Sequence, residues 1–208
     1  MRFNQLEREG NMKKKIFSGL LILCGVVLGG VAIAATPSAT MLSNTCVGCH
    51  GPNGNSEGPA SPTIAGISTE YFMEAMEEYK SGERPSTIMG RIAKGYSEEE
   101  LQLMAGFFSK QKFNRDRNQD IEDEMAKKGA KLHDKYCEKC HEEGGRSSED
   151  DAGILAGQWM PYLRYTMTDY LSGNREMTKK MKKRVNELKE NEGDKGFEEL
   201  FHYYGSLK

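Results

Sequence analysis

Cys46-Val47-Gly48-Cys49-His50 and Cys137-Glu138-Lys139-Cys140-His141 are two copies of one pentapeptide that start 91 residues apart. Two thiols separated by two residues and followed at once by a histidine have the spacing of covalent c-type haem attachment. The gap places both sulfurs on one turn of backbone against one porphyrin edge, and the histidine then lies beneath the iron. A thioredoxin-like redox pair or a four-cysteine zinc site also uses paired cysteines, but neither explains a histidine after both pairs. Cys46, Cys49, Cys137 and Cys140 therefore read as attachment points for two covalent haem c groups, with His50 and His141 as iron ligands.

The 91-residue offset recurs outside the motifs. Ile64-Ala65-Gly66 pairs with Leu155-Ala156-Gly157, Tyr71-Phe72 with Tyr162-Leu163, and Ser81-Gly82 with Ser172-Gly173. Self-similarity at a fixed offset marks a duplicated unit. The apolar periodicity is helical throughout, with no alternating stretch long enough for a strand. The expectation is an all-α chain of two haem domains: the first over 36–113, a charged linker over 114–123, and the second over 124–208, opening with a helix from Glu124 to Tyr136.

A methionine in the loop after each Ser-Gly pair is the soft sixth ligand expected of an electron-transfer haem. The first copy offers Met89. The second offers Met177 and Met181; the repeat offset from Met89 falls at position 180, one short of Met181 and three beyond Met177. Met181 needs the smaller gap and is preferred, with Met177 the alternative. Met104 and Met167 fall on amphipathic helices and read as core filler. His133 and His202 lie outside these loops and are assigned surface or partly buried roles, while Trp159 and Tyr162 are expected to pack on the second haem. The basic run Lys179, Lys180, Lys182, Lys183 and Arg184 reads as a solvated helix face, with docking of an acidic redox partner as the sharper alternative.

Near the start, Lys13, Lys14 and Lys15 precede an apolar run from Ile16 to Ile33 that closes on Ala32-Ile33-Ala34, the pattern of a secretory signal peptide over 1–35. Met12 is an alternative start, because Arg2, Glu7, Arg8 and Glu9 make an odd preface to such a signal. A retained anchor is disfavoured by the shortness of the run and by Gly19, Gly25, Gly29 and Gly30 within it. Acylation of Cys24 is disfavoured by the bulky Leu23 before it. The mature chain is expected to have no membrane span. A net charge of −2 gives no reason to expect nucleic acid as a partner. An apolar content of 37% makes thin cores for two small domains, which a large apolar cofactor in each would thicken. Nothing resembles a nucleophile with its base, a phosphate loop or a dinucleotide fingerprint, so no catalytic site is expected in this chain.

Four longer stretches are more particular than the haem motif: GNSEGPASP from Gly54, STIMGRIAKGYS from Ser86, GAKLHDKYCEKCH from Gly129 and LAGQWMPYL from Leu155. With them the chain resembles, over nearly all its mature length, the diheme cytochrome subunits of flavocytochrome c sulfide dehydrogenases, and more distantly other diheme class I cytochromes that shuttle electrons to oxidases. The resemblance implies two tandem class I cytochrome c domains, thioether bonds at the four cysteines, proximal His50 and His141, and distal Met89; it leaves Met177 and Met181 both open. It further implies a periplasmic electron-transfer subunit of a sulfide:cytochrome c oxidoreductase. A separate FAD-binding flavoprotein would oxidise sulfide, and this chain would pass the electrons to a soluble cytochrome c. A free-standing diheme shuttle to a terminal oxidase is the alternative. One departure stands out: these domains place a proline just before the Ile/Leu-Ala-Gly turn, where Pro62 stands in the first copy but Gly153 in the second, a change that bears on tuning of the second haem.

Overall fold

A computed structural model describes residues 37–116, 118–149 and 152–208, which contain helices and no strand. The signal-peptide reading, Met12 and Cys24 lie outside them. Residues 37–208 form one compact unit. In its first part, α1 (Ala39–Ser43) leads through a short 3-10 turn into α2 (Val47–His50), followed by α3 (Thr69–Ser81), α4 (Met89–Ala93) and α5 (Glu98–Phe108). The second part holds α6 (Asp123–Tyr136), α7 (Met160–Leu171) and α8 (Lys179–Ser206). No described helix is long and apolar enough to cross a membrane.

The helix boundaries follow from local chemistry. Ser68, Ser97 and Thr178 cap α3, α5 and α8 by accepting from backbone N–H groups of the first turn, which satisfies donors that have no intrahelical partner. Ser97 and Glu100 complete a reciprocal capping box. Gly82, in the left-handed conformation at φ 90°, ends α3.

Two apolar cores result. The first gathers Leu42, Phe72, Met76, Leu101, Met104, Phe108 and Phe113; the second gathers Leu132, Tyr136, Leu163, Leu188, Phe197, Leu200 and Tyr204. Met104 is fully buried and Met167 packs against the second core, as core filler should. The closest helix crossing is α6 on α8, where a Cβ on Gly129 would sit 2.0 Å from the Glu199 carbonyl oxygen. Only glycine permits that approach.

The duplication is visible in the hydrogen bonds. Gly54 O accepts from the N–H groups of Ile64 and Ala65, and Gly145 O from those of Leu155 and Ala156. Gly66 N donates to Phe108 O and Gly157 N to Tyr204 O, each at 2.8 Å. The 114–123 segment expected as a linker is tied along its length: Asn114 N donates to Asn55 Oδ1, Gln119 bonds Gln158 O and Met160 N, and Glu122 N donates to His202 Nδ1.

Candidate haem sites

Each attachment motif sits where a short helical turn meets a core. Cys46 and Cys137 are half-buried against their cores, and Cys49 and Cys140 are exposed; all four are free thiols. Burial raises the Cys46 thiol above its ordinary value and pushes that of Cys137 up to about 11, its hydrogen bond to Tyr204 pulling the other way. Thr45 Oγ1 donates to Leu42 O at 2.6 Å and therefore accepts from Tyr96 OH, also at 2.6 Å. This bond fixes the loop after α4 beside Cys46.

His50 is buried, and its Nδ1 donates to Pro62 O at 2.8 Å. That bond fixes the tautomer and leaves Nε2 with its lone pair free to ligate iron. Burial lowers the imidazole's proton affinity, opposed by the bond to Pro62, so the ring is kept in the neutral form a metal requires. His141 is half-buried at the start of a short helical stretch, Glu142–Gly145, bent by Glu143 and Gly144 at positive φ.

Met89 opens α4 and packs on the first core; Ser86 Oγ accepts from Gly90 N at 2.9 Å and holds that turn. Met177 and Met181 both pack on the second core. Met181 lies on the α8 face that carries buried Val185 and Leu188, one and two turns on. Met89 stands in the same four-residue relation to buried Ala93. Met177 precedes the Thr178 cap and lies outside the helix.

Two expectations are corrected here. His133 is fully buried: its Nδ1 meets Tyr204 OH at 3.0 Å and its Nε2 meets the Glu138 carboxylate inside the second motif. His202 is buried as well, as the acceptor for Glu122 N. Tyr162 packs against the second core, and both it and Trp159 also make contacts with the first copy. Trp159 Nε1 donates to Ser56 O and its ring lies over Gly58, while Tyr162 OH accepts from Arg84 Nη2 at 2.9 Å.

These residues belong to a junction the sequence did not disclose. Gln158 grips Thr63 at both ends, its Oε1 accepting from Thr63 N and its Nε2 donating to Thr63 O. Arg84 also donates to Tyr71 OH, and Glu78 pairs with both Arg84 and Arg175, at 3.8 and 3.0 Å. Tyr71 and Tyr162, and Arg84 and Arg175, are repeat equivalents, so the junction is built from matched positions of the two copies. It also explains Gly153: a Cβ there would lie 2.9 Å from Tyr71 Cζ, leaving no room for a proline. Arg84 Nη1 and Arg175 Nε are buried without a hydrogen-bond acceptor. Buried guanidinium donors of this kind suit a bound group that carries carboxylates, as haem does. With four free thiols and a tautomer-fixed imidazole, the donor set fits covalent haem.

Two linked helical units, each with its own attachment motif and core, define a diheme c-type cytochrome. The sequence pattern of the Cytochrome c family matches residues 35–121. The chain is 31% identical over 170 residues to cytochrome c4 of Pseudomonas aeruginosa, a match spanning 77% of this chain and 83% of that protein. It is 50% identical over 68 residues to the cytochrome subunit of sulfide dehydrogenase from Chlorobaculum tepidum, spanning 33% of this chain and 61% of that subunit. The crystal structure of reduced recombinant cytochrome c4 from Pseudomonas stutzeri superposes with a TM-score of 0.69 at 25% identity, covering 83% of this chain and all of that one. The chain belongs to the cytochrome c family, as a homologue of the diheme cytochromes c4, and is an electron-transfer protein with two tandem class I domains.

Proposed function

We propose that this chain is the periplasmic electron-transfer subunit of a sulfide-oxidising dehydrogenase, bound to a FAD-binding flavoprotein and delivering electrons to a soluble cytochrome c. The observation that carries this reading is the 50% identity to the cytochrome subunit of sulfide dehydrogenase. Two of the exposed apolar side chains among the described residues support it. Met41, 65% exposed, lies five residues before Cys46, and Ile88, 45% exposed, immediately precedes Met89. Apolar groups beside the first attachment site suit a lasting subunit contact.

In this reading Cys46, Cys49, Cys137 and Cys140 would form the thioether bonds, and His50, His141, Met89 and Met181 would ligate the irons. The shared helical register favours Met181 over Met177. Haem, when bound, supplies reversible one-electron chemistry at its iron. The residues contribute the rest. His50 presents a neutral Nε2, the methionines supply soft sulfur, and the junction holds the two sites in one body. A free-standing carrier is the second reading, favoured by the cytochrome c4 match over most of the chain.

The test is to isolate the protein from its native cells and measure haem, flavin and reduction by sulfide. Two haems co-purifying with one flavin, both reduced by sulfide, are the expected result. Two haems in a lone chain that ignores sulfide would leave the carrier reading.

A further inference from the structure

The basic run around Met181 is the sequence feature that this function leaves unused. Lys179, Lys180, Lys182, Lys183 and Arg184 are all exposed, and they open α8, whose first turn holds no carboxylate. Helix starts favour anions, so these cations oppose the helix's own field. The start of α5 follows the ordinary rule with Glu98, Glu99 and Glu100. Glu187 draws Lys183 and Arg184, at 3.9 and 2.8 Å, while among the described residues no carboxylate pairs with Lys179, Lys180 or Lys182.

The internal repeat supplies a control. Setting Met181 against Met89 places Lys180 opposite Ile88, Lys182 opposite Gly90 and Arg184 opposite Ile92. Arg91 stands opposite Lys183, and α4 begins two residues later in this register and without a side-chain cap, so the first copy places its methionine with one of these five cations. In the second copy a local rule is broken where no stability is gained.

We propose that this surface of the second unit docks an acidic one-electron carrier protein, which is reduced by one electron as the second site is oxidised by one. The proposal rests on Met181 marking the second iron site. Charge complementarity selects the partner. Exposed ammonium groups are strongly hydrated and act through steering, raising the encounter rate without building a dry, lasting interface. That suits a carrier that must leave after each transfer, whereas the apolar Met41 and Ile88 of the first unit suit one that stays.

The experiment uses the reduced diheme protein and plastocyanin, an acidic one-electron copper protein, as oxidant, followed by stopped flow over a range of salt. The wild-type rate should fall steeply with salt. The triple variant K179E/K180E/K182E should react about tenfold or more slowly at low salt and lose most of the salt dependence. A control triple in the first unit, K80E/K94E/K110E, should retain it. An unchanged rate and salt slope in the first triple overturns the proposal. So does a variant that loses binding to anionic phospholipid vesicles, or to the flavoprotein, while its plastocyanin rate stands. Spectra separate the underlying assignment: Met181→Leu should abolish the methionine–iron absorption band of one haem, and if Met177→Leu does so instead, the run no longer brackets the ligand and the proposal falls with that reading.

Discussion

Gly153 illustrates how one residue reports on a distant part of the chain. A glycine where the other copy has proline looks like a weakened second haem site, but the nearest heavy atoms to a Cβ there belong to the Tyr71 ring. The position was emptied to admit a neighbour. Gly153→Ala should therefore destabilise the protein by about 1–3 kcal/mol in denaturant unfolding, as overpacking does, and most of that loss should vanish when Tyr71 is cut to alanine, because the two sites share one space. Glu138 makes a second prediction. Burial works to raise its carboxyl, but the hydrogen bond from His133 and the donor at Gly144 outweigh it and hold the group below its ordinary value. A carboxylate depressed in the folded state contributes stability above its unfolded value, and that contribution is lost as pH falls through the folded one. Glu138→Gln should thus lower the melting temperature at pH 7, and the gap to the wild type should close as pH falls through the depressed folded-state value.

At the scale of elements, the tightest constraint is the crossing of α6 and α8 at Gly129. The atom that a Cβ would strike is a backbone oxygen, so no side chain can step aside. Gly129→Ala should force the helices apart, with a loss of about 3 kcal/mol or more and a drop in haem retained on the second motif, measured by chemical denaturation and by absorbance per chain. Much at this scale was legible beforehand. The helical period, the repeat offset and the 124–136 helix all appear at or within a residue of their expected places, because caps, turns and apolar spacing are local signals. His133 was misplaced although its signal was present: it continues the buried face of Gly129, Leu132 and Tyr136. A polar residue on an apolar face reads as a surface residue until its partners, Tyr204 and Glu138, are seen.

Across the whole molecule, what the sequence hid is the junction. Thr63 and Gln158, Ser56 and Trp159, or Tyr71 and Gly153 lie eighty or more residues apart, and no period or motif links such pairs. Their effect is nonetheless large. Gln158→Ala would leave Thr63 N without its acceptor at a buried position, a loss of about 1–3 kcal/mol concentrated between the two units. Calorimetry should record one transition for the wild-type holoprotein and a broadened or split one for the variant, since coupling between the units is what makes them melt together.

The same junction sets a limit on modularity. Ile154, from the second copy, is buried in the core of the first, and Trp159 is seated on Gly58. A gene divided at the linker would yield two incomplete products, one missing part of its core and the other presenting a bare indole to water. Duplication produced this chain, but the two copies have since exchanged parts and can no longer be inherited, expressed or replaced separately.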